Sequence, residues 1–201
     1  MKIKTAVFDQ SAPDLVSCPK SAMPEFAFIG RSNVGKSSLI NMLTGKRDLA
    51  KASVTPGKTR LINFFVINDA WCLVDLPGYG YASVGHKERA GFNKAVADYI
   101  EKRRNIACVF VLIDARLPPQ KIDLEFVNWI AGTSVPFALV FTKADKQSDT
   151  ATEANIALFK QALSAWWEDL PKVLTSSAKT AKGRGEILAL IQEMLVENNR
   201  G

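Results

Sequence analysis

At 201 residues, 47% hydrophobic and 23% charged, the chain has the size of one domain with a sizeable core, and a second domain is not expected. Its longest apolar run, Ile106 to Ile113, falls well short of the ~18 residues of a membrane span. Neither a charged-then-apolar leader nor a C-terminal prenylation cysteine is recognisable, and Cys18, Cys72 and Cys108 lack metal-ligand spacing, so a soluble cytoplasmic protein with free thiols is expected.

Residues 1–21 contain Pro13 and Pro19 and little periodicity beyond Ile3 to Phe8, which predicts an N-terminal arm or added edge strand ahead of the main domain at 22–201. A buried strand is predicted near 24–29, where Phe26-Ala27-Phe28-Ile29 is unbroken apolar sequence, and a helix from Lys36. The stretch joining them, Gly30-Arg31-Ser32-Asn33-Val34-Gly35-Lys36-Ser37, has the strand, loop and helix setting of a phosphate-binding loop. Gly30 and Gly35 free the backbone to turn successive N–H groups around a β-phosphate, and the helix N-terminus adds unpaired donors and its positive dipole end. Lys36 is expected to reach the β- and γ-phosphate oxygens and the Ser37 hydroxyl to take one position on an octahedral Mg²⁺, with Ser38 next in the contact segment.

Strands at 60–67 and 70–75 around the tight Asn68-Asp69 turn predict a hairpin. Its second strand ends in Asp75-Leu76-Pro77-Gly78, where the Asp can hold a water of the Mg²⁺ shell and the Gly lets a backbone N–H approach a γ-phosphate. The segment therefore reads as a sensor of the third phosphate. A helix over 88–103, a buried strand at 107–113 and a helix over 120–131 follow, then the apolar run Val135 to Phe141, which suits a parallel strand buried on both faces.

Thr142-Lys143-Ala144-Asp145 comes next, at the strand end where ligands of open parallel sheets bind. The Asp145 carboxylate can accept both the N1–H and the N2–H of guanine, a donor pair that adenine lacks on that edge. The Lys143 stem can cover the base face with its ammonium at the rim. After a helix over 152–167 and a strand at 171–175 comes Thr175-Ser176-Ser177-Ala178-Lys179, whose backbone N–H groups are placed to meet guanine O6. Gly183-x-Gly185 reads as a helix start, and the last helix covers 184–197. Trp129, Trp166 and Trp167, at helix ends, are expected to be packing residues. The alternation predicts an α/β, three-layer fold: a mostly parallel six-stranded sheet with one antiparallel edge strand from the hairpin and helices on both faces.

Three segments together carry a family resemblance: Gly30 to Asn41, then Thr55-Pro56-Gly57-Lys58-Thr59-Arg60-Leu61-Ile62-Asn63-Phe64-Phe65, then Asp75-Leu76-Pro77-Gly78-Tyr79-Gly80-Tyr81-Ala82. The chain resembles the Ras-like P-loop GTPases and, among them, the EngB family of the group that includes Era and TrmE. The resemblance implies GTP and GDP as ligands with Mg²⁺, a role as a switch in assembly of the large ribosomal subunit, and defects of growth, division and septation on its loss. It implies that the segment with Gly57, Lys58, Thr59, Arg60 and Leu61 orders around GTP. Thr59, just ahead of the strand at 60–67, is then expected to be the second protein ligand of Mg²⁺ in preference to Thr55. Ras-like enzymes carry a water-orienting glutamine where this chain has Tyr79, so slow hydrolysis completed by a partner is expected. His86, without an orienting partner, reads as an exposed loop residue. In TrmE-like relatives an asparagine matching Asn33 helps hold a potassium ion, which implies K⁺-stimulated turnover.

Of the charged residues, 16 basic and 9 acidic lie at or before Arg104, against 10 and 11 after it. Lys46, Arg47, Lys51, Lys58 and Arg60 crowd one region and Lys87, Arg89, Lys94, Lys102, Arg103 and Arg104 another, and both are regions expected to change with the γ-phosphate. Taken with the resemblance, this predicts a basic switch-side face meeting ribosomal RNA in a large-subunit precursor; the alternative is a solvated face in which Lys102 to Arg104 complement a helix C-terminus. A monomer without membrane contact is expected. Two other classes remain open: a P-loop phosphotransferase of metabolism, which Asp145 disfavours, and a signalling or division-machinery GTPase.

Overall fold

In the computed structural model, residues 1–50, 61–79 and 94–198 are described. In chain order they form β1 (Ala6–Ala12), β2 (Glu25–Gly30), α1 (Lys36–Thr44), β3 (Ile62–Ile67), β4 (Trp71–Asp75), α2 (Lys94–Lys102), β5 (Ile106–Asp114), α3 (Lys121–Ala131), β6 (Phe137–Thr142), α4 (Asp149–Ser164), β7 (Lys172–Thr175) and α5 (Arg184–Asn198). The strands make one sheet in the order β1-β3-β4-β2-β5-β6-β7. Strands β4, β2, β5, β6 and β7 pair in parallel, while β3 is antiparallel to β4 and β1 antiparallel to β3.

The apolar runs without alternation became central strands because both faces of the sheet are covered. Ala27, Ile29, Val109 and Val111 point into one core layer with Val96 and Tyr99 of α2, Phe126 and Ile130 of α3 and Phe159 of α4. Phe26, Phe28, Phe110 and Leu112 point into the other, with Leu39 and Leu43 of α1 and Ile187 and Ile191 of α5. The result is the three-layer arrangement expected from the sequence. Phe28 and Phe110 stack in neighbouring strands with centroids 4.8 Å apart, and each side chain buried this fully stabilises the fold by about 1.5–3 kcal/mol.

The sheet has seven strands where six were expected, because the N-terminal segment adds β1 beyond the hairpin. The hairpin turn holds it there. Asn68 and Asp69 both take left-handed φ values, 52° and 51°, as a two-residue turn of this hand requires. The Asn68 side chain then accepts hydrogen bonds from the Lys4 and Thr5 N–H groups at 2.7 and 3.1 Å, and donates to Lys2 O at 2.9 Å. One turn residue thus closes one strand pair and guides a third strand onto its edge. Helix α4 begins at Asp149, three residues earlier than expected, because the Ser148 hydroxyl caps it by accepting from Ala151 N–H. It ends at Ser164, which leaves Trp166 half exposed and Trp167 packed edge-on against Phe137, while Trp129 packs on Phe126. The start of the helix expected at 88 lies outside the described residues.

Candidate guanine nucleotide site

Because β2, β4, β5, β6 and β7 run in one direction, their carboxyl ends bring Gly30, Asp75, Asp114, Thr142 and Thr175 to one edge of the sheet. The loop from Gly30 to Ser37 leaves β2 there and enters α1. Its path turns at Asn33 and Gly35, whose φ values are 61° and 101°. A Cβ on Gly35 would meet nothing closer than 3.7 Å, so it is the backbone angle and not crowding that calls for glycine. Val34 plugs into the core beneath the loop. Thr142 donates to Val34 O at 2.6 Å and the Lys143 ammonium to Asn33 O at 2.6 Å, so the segment expected to read the base also braces the loop expected to hold the phosphates.

Lys36 and Asp75 form an ion pair at the head of α1, with 14% and 7% of their side chains exposed. Ser37 follows Lys36 in the first turn of α1. A serine hydroxyl and a carboxylate are the hard oxygen donors that Mg²⁺ selects, so Ser37 and Asp75 would fit that ion, which would supply positive charge against phosphates. Gly57, Lys58, Thr59 and Arg60, together with Thr55 and His86, lie outside the described residues; Leu61, just before β3, is 40% exposed. The sensor segment is present in full. Leu76 N–H donates to Phe28 O and Leu76 is buried, and a Cβ on Gly78 would sit 2.7 Å from Gly30 O and 3.5 Å from Ser32 N, so only glycine allows this approach to the phosphate loop.

Beside the loop opens a pocket of about 230 Å³, lined by Gly35, Ser38, Leu39, Thr142, Lys143, Asp145, Lys146, Ser176, Ala178 and Lys179. Asp145 Oδ1 accepts from the Ser177 hydroxyl at 2.7 Å, whereas its Oδ2 is buried without a hydrogen-bond partner, as is Ser176 Oγ. The Ser177 bond holds the Asp145 carboxyl below its ordinary pKa, so it stays an acceptor. An ionised oxygen left open at a pocket wall suits an N–H-bearing base edge. The N–H groups of Ser176 and Ser177 are spent on Phe141 O and Lys182 O, so donation to a base carbonyl falls to Ala178 and Lys179. Helix α5 starts at Arg184, directly after Gly183.

These three elements, phosphate loop, third-phosphate sensor and open carboxylate, agree with the comparisons to known proteins. A family described as "50S ribosome-binding GTPase" matches residues 25–143. "Probable GTP-binding protein EngB" of Bacteroides fragilis is 50% identical over 199 residues, covering 99% of both chains, and its counterpart in Bacteroides thetaiotaomicron is 51% identical over 197 residues, 98% of each. The chain belongs to the EngB family of GTP-binding proteins. Among solved structures, a probable GTP-binding protein engB superposes with TM-score 0.65 at 23% identity over 86% of this chain and 99% of its own. A bacterial selenocysteine-specific elongation factor, EF-Sec, gives 0.62 at 19% over 87% of this chain and 29% of its own. These two likenesses extend to the fold.

Several side chains of this EngB-family GTPase have partners that the sequence did not indicate. Arg31, expected among the nucleotide contacts, directs its guanidinium to Asp123 of α3. The Lys143 stem lines the pocket, and its ammonium donates to Asn33 O at 2.6 Å and to Asp114 Oδ2 at 2.9 Å. Burial works to raise the Asp114 carboxyl, but hydrogen bonds from Arg116 and Lys143 outweigh it and lower it to about 2. Asp114 was missed in the sequence, although a carboxylate ending a wholly apolar strand at the ligand edge was a usable signal. Arg103 is turned inward onto Glu25, whereas Lys46 and Arg47 after α1 and Lys94, Lys102 and Arg104 in and after α2 are exposed, and since α1 and α2 pack on opposite faces of the sheet these charges do not gather on one face. Lys102 lies in the last turn of α2 and pairs with Asp98. Among the described residues no helix is long and apolar enough to cross a membrane.

Proposed function

We propose that this EngB-family GTPase is a GTP-controlled switch in assembly of the large ribosomal subunit, working as a cytoplasmic monomer and needed for normal division and septation. The observation that carries the switch is Gly78 in backbone contact with the phosphate loop, since a sensor of the third phosphate must lie where that phosphate would be felt. The ribosomal target is supported by the description of the matching family and by the exposed Lys46, Arg47, Lys94, Lys102 and Arg104. Ser37, Thr59 and, through water, Asp75 would hold Mg²⁺, and Asn33 in its exposed left-handed turn would help hold K⁺. Hydrolysis is slow until a partner completes the site, because the Tyr79 hydroxyl is bonded to Asp123 and is not free to orient water.

Sedimentation with large-subunit precursors in GTP, GDP and no nucleotide tests this reading. Co-sedimentation is expected with GTP and is expected to weaken in GDP and with rising salt. Binding indifferent to both, or none, would instead favour a GTPase of signalling or of the division machinery.

A further inference from the structure

Asp123 occupies a position that helical spacing reserves for an apolar residue. It lies on the buried face of α3 with Phe126, Val127 and Ile130, and it is itself fully buried. A carboxylate in such a place is costly unless hydrogen-bonded, and a well-packed apolar residue would serve the core as well. What the charge adds is a pair of specific partners. Arg31 Nε donates to Asp123 Oδ1 at 2.9 Å and to Oδ2 at 3.1 Å, and the Tyr79 hydroxyl donates to Oδ1 at 2.9 Å.

Both partners belong to nucleotide-sensing segments. Arg31 is the second residue of the phosphate loop, and Tyr79 directly follows Gly78. The two are also joined through a parallel β-bridge. The Tyr79 ring is 3% exposed and stacks on Phe126, with centroids 4.2 Å apart and planes within 11°. Burial, reinforced by Asp123, pushes the phenol well above its ordinary pKa, so the hydroxyl remains a donor.

We propose that Asp123 is a positioning residue for the third-phosphate sensor: through Arg31 and Tyr79 it holds Gly78 against the phosphate loop in advance of binding and so sets the preference for GTP over GDP. The inference rests on the guanine-nucleotide reading of the site. Its physical basis is pre-organisation, in which a segment already ordered loses less conformational freedom when its ligand arrives. GDP, lacking the phosphate that Gly78 would meet, gains nothing from the arrangement.

The test uses the full chain with Mg²⁺, comparing wild type, Asp123→Asn and Tyr79→Phe for affinity toward GDP and a non-hydrolysable GTP analogue, with thermal unfolding in parallel. Tyr79→Phe keeps the stack on Phe126 and deletes only the hydroxyl, so it decides the matter if Asp123→Asn does not fold. Affinity for the analogue is expected to fall about tenfold in Asp123→Asn and about threefold in Tyr79→Phe, the losses of a charged and a single hydrogen bond, with GDP affinity within about twofold of wild type. Equal losses for both nucleotides would reduce Asp123 to a framework residue and overturn the inference alone, as would an unchanged or tightened analogue. A wild-type protein that bound neither guanine nucleotide would overturn the site reading and the inference with it.

Discussion

Two buried polar networks stand at opposite ends of the sheet and differ in how completely they are satisfied. At the amino ends of β2 and β5, the fully buried Glu25 accepts from the Tyr99 hydroxyl at 2.6 Å, from Arg103 Nη2 at 2.6 Å and from Asn105 Nδ2 at 2.9 Å. Arg103 and Asn105 carry the same network into the N-terminal segment through Pro19 O and Met23 O. At the carboxyl ends, Asp145 spends one oxygen on Ser177 and leaves the other buried and unbonded, next to an unbonded Ser176 hydroxyl.

A buried polar atom without a partner costs about 1–3 kcal/mol, so a fold that saturates Glu25 but not Asp145 treats the first as framework and the second as a place for a ligand. Among the described residues the third buried side-chain atom of this kind is the Trp71 indole nitrogen, on a ring packed edge-on against Phe26.

The contrast predicts separable effects. The largest is on stability: Glu25→Ala strands Arg103 and is expected to lower the unfolding free energy in urea by about 3–5 kcal/mol while the folded fraction keeps its nucleotide affinity. A variant that lost nucleotide binding at unchanged stability would break the division between the two ends. Next is Asp145→Asn, which exchanges a charge-assisted acceptor for an amide. It is expected to weaken guanine nucleotides about 100-fold in a fluorescence titration, with the urea midpoint little moved because the lost oxygen accepts no hydrogen bond inside the protein and meets only the half-exposed Lys146 ammonium at 3.9 Å. The smallest concerns Asn33, exposed on the open end. Steady-state turnover in K⁺ is expected to exceed that in Na⁺ at matched ionic strength by less than about tenfold, since a monovalent ion at an exposed site stabilises developing charge only weakly. Equal rates would remove Asn33 from the hydrolysis chemistry.

Much of this was legible in the chain. Gly30 to Ser37, Asp75 to Gly78 and Asp145 were read from short motifs at strand ends, and among the described residues strand and helix placements held to within about three residues, the added edge strand allowed for residues 1–21 being β1. The side-chain partners that the sequence did not indicate share a feature: each joins residues far apart in the chain. Arg31 and Asp123 are 92 residues apart, Arg103 and Glu25 are 78 apart, and Lys143 and Asn33 are 110 apart. Nothing local to Arg31 indicates that its guanidinium turns to α3.

The sequence by itself determined the three-layer α/β order, the nucleotide class and the base, because apolar runs, glycine positions and a motif's spacing are local and survive without knowledge of what lies across the sheet. The tertiary structure decided that residues 6–12 form the edge strand, that Arg103 belongs to the framework, and that Tyr79 is held under α3 by the charge that also holds Arg31. A charged side chain chooses its partner by proximity in a low-dielectric interior, and that proximity exists only once the layers have packed.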